Sequence, residues 1–210
     1  MERKPDPVHL DQNSRRDPRL TRSLLPTDLW RRTLVEVAAL PVRVGVADKT
    51  TAGAWLVRPE RPVTSRATSV HGLTNAVLAS APCWADIVSE VHTFLGSFWV
   101  CAHNAHVDYR AVKAHLPAWK PSGVLDTLRL SRATFPGLPG YSLDHLIEHL
   151  KPDLSEAPAQ RHRATFDAFA TAQLLIIMAK RYETWDQVVV AAVPPTLPGA
   201  PQPEPDLTLW

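Results

Sequence analysis

The sequence lacks the features that mark several large classes of protein. Its two cysteines, Cys83 and Cys101, are far apart, match no zinc-ligand spacing and stand in apolar surroundings, so we expect reduced thiols in the core. No apolar run approaches the ~20 residues that a membrane-spanning helix needs. The N-terminus has no signal-peptide pattern, and we therefore expect a cytoplasmic protein.

A strong charge of one sign is also missing. The 210 residues carry a formal net charge of +2, and so small an excess does not define a basic patch. It is compatible with a nucleic-acid partner without requiring one. Hydrophobic residues make up 45% of the chain and charged residues 21%, which is typical of a globular protein with one sizeable core.

The patterns that are present divide the chain into three parts. Residues 1–33 form a poorly defined N-terminal segment with one short candidate strand at 8–10, residues 34–184 hold the regular patterns, and residues 185–210 read as a Pro-rich flexible tail. In the middle part, two alternating stretches, 34–46 and 54–57, indicate an antiparallel hairpin. Strands and helices then alternate, which predicts an α/β fold with a mixed sheet flanked by helices.

Two polar stretches in this middle part suggest chemistry. An apolar run at 98–102 reads as a buried strand, and Asp108 follows it at the start of the next helix. Downstream, His162 precedes Asp167 at the start of the most apolar helix. Carboxylates in such positions suit hard divalent cations better than zinc. Two such ions about 4 Å apart can activate water and stabilise the leaving oxygen of a phosphodiester, while a histidine takes the water's proton.

These stretches resemble the motifs of the DnaQ-like 3′-to-5′ exonucleases, a family that includes the proofreading subunit of bacterial DNA polymerase III. His103-Asn104-Ala105-His106-Val107-Asp108 resembles the family's second motif. Residues 162–172 resemble the third motif in its histidine-containing version, the DEDDh type. Supporting matches lie at 34–39, 56–59, 71–74, 125–127 and 141–144, in the family's order. The resemblance runs from about residue 34 to residue 180.

The resemblance implies an RNase H-like fold and a metal-dependent 3′-5′ exonuclease of DNA replication or repair. It implies two divalent cations, Mg²⁺ or Mn²⁺, with Asp108 and Asp167 as ligands and His162 as general base. The expected substrate is single-stranded or frayed DNA 3′ ends, with RNA as the alternative.

Other residues of the motifs have less certain roles by the same resemblance. His103, Asn104 and His71 are expected to contact nucleic acid, although His71 is equally suited to shaping its own turn. Asp126 is expected either to orient the metal-binding side chains without binding the metal itself, or only to act as a cap.

The first motif of the family is missing from its expected place. That motif is an Asp-x-Glu-Thr-type stretch, whereas the expected window reads Leu20-Thr21-Arg22-Ser23-Leu24. Asp11 is the candidate for a displaced version, the other interpretation being a solvated acid in a frayed terminus. A similar stretch at Asp48 falls in the hairpin turn, so we interpret it as an accidental likeness. Losing a carboxylate between two dications weakens metal binding.

Two hypotheses therefore stand at the level of sequence. The first is an active exonuclease that uses a displaced first motif. The second is a domain that has kept the fold, has lost the activity, and serves as a nucleic-acid-binding or replisome adaptor.

The C-terminus carries a separate signal. Residues 206–210 resemble the short peptide by which bacterial replication and repair proteins dock to the DNA sliding clamp, with Leu207, Leu209 and Trp210 as apolar anchors. The alternative is an exposed tryptophan in a flexible end.

Overall fold

The computed structural model describes residues 21–27 and 34–202. Strands occur at β1 (Thr21–Thr27), β2 (Glu36–Arg43), β3 (Val46–Ala47), β4 (Gly53–Leu56), β5 (Trp99–Ala102) and β6 (Gly123–Asp126). Helices occur at α1 (Ser65–His71), α2 (Asn75–Ala79), α3 (Trp84–Leu95), α4 (Ala105–His115), α5 (Thr127–Thr134), α6 (Leu143–Leu150), α7 (Ala164–Ala179) and α8 (Trp185–Ala192), with a short 3-10 helix at Lys49–Thr51.

The strands form one mixed sheet in the order β3-β2-β1-β5-β6, and β4 also pairs with β2. β1 lies antiparallel to β2 and parallel to β5, and β5 lies parallel to β6. Thr27 pairs with Glu36, and Ala102 pairs with Asp126. One end of the sheet is therefore formed by the ends of β1, β5 and β6 together with the start of β2. We call this end of the sheet the carboxyl edge. Open α/β sheets place their ligands at such an edge.

Alternating side chains of the central strands separate two cores. Val100 and Ala102 pack with buried residues of α3 and α4 on one face of the sheet. Cys101 points to the other face, where it packs with buried residues of α5, α6, α7 and α8. Both cysteines are free thiols, Cys101 fully buried and Cys83 half-buried at the start of α3. Helices on both faces of a mixed sheet are the predicted architecture.

Small side chains bring α7 close to the sheet. Ala164 and Ala168 pack against Ala38 of β2, and Phe169 packs in a cluster with Leu40 further along that strand. Because alanine adds little bulk, the helix axis can approach the strand closely. The first turn of α7 is thereby placed at the start of β2, on the carboxyl edge.

The chain turns back at residues 44–45, earlier than the hairpin turn that the sequence suggests at Asp48. Val44 and Gly45 both have positive φ, 51° and 72°, which is the geometry of a tight two-residue hairpin turn between β2 and β3. Asp48 then caps the 3-10 helix, and its carboxylate accepts hydrogen bonds from the Thr50 amide (3.1 Å) and hydroxyl (2.6 Å). The stretch that mimics a metal-binding motif is thus a structural turn.

The structure differs from two of the predicted boundaries in the residues that it describes. Residues 21–27 are the central strand of the sheet, although we expected residues 1–33 to be poorly defined. Residues 185–202 are not a flexible tail, because Trp185 packs edge-on against Trp99 with ring centroids 5.3 Å apart and Leu197 is buried in the core. The capping box of Thr184 and Gln187 starts α8, a signal that the surrounding prolines obscured.

Some expectations concern residues that the structure does not describe. The candidate strand at 8–10, Asp11, and the tail residues Leu207, Leu209 and Trp210 all lie outside residues 21–27 and 34–202. Within those two ranges, the helices are too short or too polar for any of them to cross a bilayer.

Candidate active site

Asp126 at the end of β6 organises the turn that leads into α4. Its Oδ1 accepts hydrogen bonds from the backbone N–H of Asn104 and of Leu128, both at 2.9 Å. Asn104 has the left-handed conformation with φ 64°, which asparagine tolerates better than most residues. A single carboxylate oxygen thus holds the β5–α4 turn against the start of α5. The capping role expected for Asp126 is present.

Asp108 lies in the first turn of α4 and is buried, with 2% of its surface exposed. Its Oδ1 has no hydrogen-bond partner among the residues described. Burial raises the pKa of this carboxyl well above its usual range, and the negative charges of Asp126 and Asp167 raise it further. An unpartnered oxygen on a buried acid costs free energy unless a proton or a cation neutralises it.

Asp167 lies in the first turn of α7 and is half-buried. Burial raises its pKa to about 6, partly opposed by the charge and a backbone hydrogen bond of His162, while Asp144 and Glu36 raise it. The structure thus places Asp167 close enough to Asp108, a residue far away along the chain, for its charge to raise the pKa of Asp108. Each of them holds its proton more tightly than a free carboxyl does.

His162 precedes α7 and is exposed. Its backbone is left-handed, with φ 60°, which costs about 1 kcal/mol or more for a residue with a side chain. The imidazole is therefore presented to solvent beside the Asp167 carboxylate rather than packed in the core.

An ion pair between Arg163 and Glu36 is present next to His162, and the sequence analysis did not predict it. Arg163 donates two hydrogen bonds to Glu36, from Nη2 to Oε1 at 2.7 Å and from Nε to Oε2 at 2.9 Å. The backbone N–H of Ala164 also donates to Glu36 Oε2, at 3.0 Å. A buried glutamate in an otherwise apolar strand was the available signal, because such a residue needs a partner.

The three residues expected to contact nucleic acid have different surroundings. Asn104 is exposed at the start of α4, whereas His103 is half-buried with its Nδ1 3.0 Å from the Thr127 hydroxyl, and burial lowers its pKa. His71 is buried, and its Nδ1 accepts a hydrogen bond from the Leu73 amide at 3.0 Å. His71 thus shapes its own turn, in which the following Gly72 has a left-handed backbone with φ 74°.

The first strand carries no acid at the carboxyl edge. Ser23 pairs with Cys101, so the residues after Ser23 follow β1 towards the same edge as the end of β5. Those residues are Leu24, Leu25, Pro26 and Thr27, and none of them is a carboxylate. In the described part of the chain, no group of three or more histidine, cysteine, aspartate or glutamate side chains is arranged to hold a metal ion.

Comparison with protein families and curated sequences gives consistent matches. A family model described as "Exonuclease", of the RNase T type, matches residues 28–175. Exodeoxyribonuclease 10 of Escherichia coli K12 is 34% identical over 122 residues, which cover 58% of this chain and 51% of that protein. DNA polymerase III PolC-type of Bacillus subtilis is 33% identical over 154 residues, covering 70% of this chain and 10% of the relative. The chain thus spans about half or less of the length of these relatives.

Solved structures agree with the fold. Exonuclease X in complex with 5′ overhanging duplex DNA has a TM-score of 0.68 at 29% identity, covering 80% of this chain and 96% of that chain. The nuclease domain of 3′hExo, described as a DEDDh family member bound to rAMP, has a TM-score of 0.62 at 13% identity, covering 77% of this chain and 92% of that one. The second likeness concerns the fold alone.

Proposed function

Because this chain belongs to the DnaQ-like exonuclease family, we propose that it is a metal-dependent nuclease of the DEDDh type that hydrolyses phosphodiester bonds at the 3′ ends of DNA. The family membership confirms the resemblance seen in the motifs, and the RNase H-like fold is confirmed with it. One observation supports the activity most strongly. Asp108 and Asp167, on different helices, interact at the carboxyl edge, and His162 stands beside Asp167.

The two acids fit one divalent cation. Asp108 has a buried oxygen without a partner, and both carboxyls are poorly neutralised by their surroundings. Oxygen donors of this kind suit Mg²⁺ or Mn²⁺, and Asp108 and Asp167 would hold the ion. When bound, such an ion supplies Lewis-acid chemistry at a phosphoryl oxygen and at water. The second ion expected for the family needs further carboxylates, for which Asp11 is the candidate.

His162 is the proposed general base. A base must lie within hydrogen-bond reach of the water that it deprotonates, and an exposed imidazole next to a metal-ligating carboxylate meets that condition. The imidazole is close enough to the Asp167 carboxylate for its charge to lower the pKa of that acid. Among the described residues, His162 is the one histidine that affects the pKa of Asp167.

The proposed substrate is DNA with a single-stranded or frayed 3′ end, and RNA is an outcome of the same assay. Asn104, exposed at the start of the helix that carries Asp108, is the best placed of the three residues proposed to contact the strand. His103 and His71 are engaged by neighbouring groups, so their proposed contribution is to hold the walls of the site.

A labelled oligonucleotide assay tests this function. We expect the full chain with Mg²⁺ or Mn²⁺ to shorten a 5′-labelled single strand stepwise from its 3′ end, while a 3′-labelled strand loses its label first. An Asp108→Asn variant should lose the activity, because it removes one of the two proposed metal ligands. Internal cuts, or equal activity of the variant, would contradict the proposal.

A second candidate function is favoured by one specific observation. β1 has no carboxylate at the carboxyl edge, and the described residues form no metal-binding group of three or more side chains. Under this alternative the domain binds nucleic acid or serves as a replisome adaptor without cleaving. The assay above separates the two functions, since an adaptor binds the labelled strand and leaves it intact.

We further propose that the C-terminal residues Leu207, Leu209 and Trp210 dock the protein to the DNA sliding clamp. Two observations support this proposal: the peptide pattern and the similarity to DNA polymerase III PolC-type. A pull-down with the DNA sliding clamp tests this partner, comparing the full chain with a chain that lacks Leu209 and Trp210. Unchanged capture of the clamp would discard this partner.

A further inference from the structure

We propose that Glu36 and Arg163 are positioning residues, a clamp that fixes the first turn of α7 so that His162 and Asp167 face Asp108. The clamp consists of the Arg163 guanidinium held by both Glu36 oxygens and the Ala164 N–H held by one of them. The inference rests on the proposed nuclease function for its catalytic consequence. Its structural consequence is independent of that function.

Geometry makes this ion pair specific. A guanidinium that donates two parallel hydrogen bonds to one carboxylate fixes both orientation and distance. Glu36 has only 2% of its surface exposed, and it lies at the start of β2 on the carboxyl edge. Removing one partner of such a pair leaves the other poorly compensated, so each partner depends strongly on the other.

The clamp lies next to a residue with an unfavourable backbone conformation. Arg163 follows His162 directly, and His162 holds a left-handed backbone that is unfavourable for a residue with a side chain. Such a conformation persists only where the surrounding contacts determine it. The hydrogen bonds at Arg163 and Ala164 hold the chain on the C-terminal side of His162, at the start of the helix that carries Asp167.

On the N-terminal side of His162, a different ion pair provides a natural control. Arg161 Nη1 lies 3.0 Å from Asp144 Oδ1 on α6, and both side chains are about half exposed. Exposed ion pairs contribute little to stability. Arg161→Gln and Arg163→Gln therefore remove the same charge one residue from His162, the first at a solvent-exposed pair and the second at the clamp.

Hydrogen exchange of the full chain tests the clamp without reference to activity. We expect Glu36→Gln and Arg163→Gln to increase amide exchange across residues 162–168 by about tenfold or more, with strands β5 and β6 unchanged, because the opening is local. Arg161→Gln should leave exchange of this segment within about twofold of the unmodified protein. Unchanged exchange in both clamp variants, or a uniform increase throughout the molecule, would overturn the proposal.

Turnover on a 5′-labelled single strand with Mg²⁺ tests the catalytic consequence. The clamp variants should lose roughly 10- to 100-fold in kcat with KM within about twofold, because misplacement of catalytic groups affects turnover more than binding. Arg163→Lys should recover part of the loss, since it restores the charge without the paired hydrogen bonds. Unchanged kcat in an active protein would overturn the positioning role. If the unmodified protein has no activity, the proposed function fails, and hydrogen exchange alone decides on the clamp.

Discussion

Asp108 and Asp167 lie on helices packed on opposite faces of the sheet, yet the charge of Asp167 is close enough to raise the pKa of Asp108. Two like charges in a partly buried site repel each other and are poorly solvated. This arrangement destabilises the ionised protein unless a cation binds there. Function and stability are therefore linked at this pair.

The first prediction concerns stability against pH. Asp167 has a folded-state pKa of about 6, above its value in the unfolded chain, so the folded state binds more protons between about pH 4 and pH 6. The free energy of unfolding therefore falls as pH rises through this window. Asp167→Asn removes the ionisation and should stabilise the metal-free protein by roughly 1 kcal/mol above pH 6, after allowance for solvent screening. Urea unfolding at acidic and neutral pH with EDTA measures the difference.

Asp153→Asn is the matched control for this prediction. Hydrogen bonds from Ser155 lower the pKa of the exposed Asp153 carboxyl, which is the opposite direction. Its stabilising effect is present at neutral pH and disappears as pH falls, so the control variant should gain no stability at neutral pH. Equal behaviour of the two variants would contradict the assignment at Asp167.

The second prediction concerns metal binding. Mg²⁺ or Mn²⁺ should raise the melting temperature by about 2–4 °C, because a ligand that binds only the folded state stabilises it. Asp108→Asn and Asp167→Asn should each abolish this increase, whereas Glu148→Gln on the exposed side of α6 should keep it. Differential scanning fluorimetry with and without EDTA measures it. A metal-induced increase that survives both aspartate substitutions would place the ion elsewhere.

The third prediction separates the two roles of Asp126. Asp126→Ala removes the acceptor for the Asn104 and Leu128 amides and should cost about 1–2 kcal/mol of unfolding free energy. Asp126→Asn keeps an acceptor oxygen and should cost less than about 0.5 kcal/mol. Chemical denaturation measures both variants. If the stable Asn variant also loses turnover, the carboxylate supports the metal ligands as well as capping the helix.

The fourth prediction concerns the C-terminal boundary. A chain ending at residue 184 loses α8 and exposes the core around Trp99, so its melting temperature should fall by more than about 10 °C or the protein should aggregate. A chain ending at residue 202 keeps these contacts and should melt within about 2 °C of the full chain. Circular dichroism melts compare the two, and equal melting would show that α8 is dispensable.

Hydrophobic periodicity in the sequence was enough to predict much of this fold. The antiparallel pairing of β2 with β4 follows from the alternating stretches at 34–46 and 54–57, and β5 follows from the apolar run at 98–102. The two acids were found because both follow recognisable motifs at helix starts. These signals are local, so a single sequence reveals them.

The parts that escaped prediction depend on distant contacts. β1 is Thr-Arg-Ser-Leu-Leu-Pro-Thr, which has little strand character on its own and forms between β2 and β5 because both offer free edges. α8 stands next to several prolines and is stabilised by packing against α5 and Trp99. The clamp joins Glu36 to Arg163 across 127 positions of sequence, a pairing that no local pattern encodes.

The most direct test of the account is the single-turnover rate of cleavage of a single-stranded oligonucleotide with saturating Mg²⁺, measured for the full chain and for His162→Ala and Asp167→Asn. The unmodified protein should release mononucleotides from the 3′ end. Each variant should lose at least about 100-fold in rate, since one lacks the base and the other a metal ligand. Cleavage that persists in both variants at the unmodified rate would contradict the assignment of the active site.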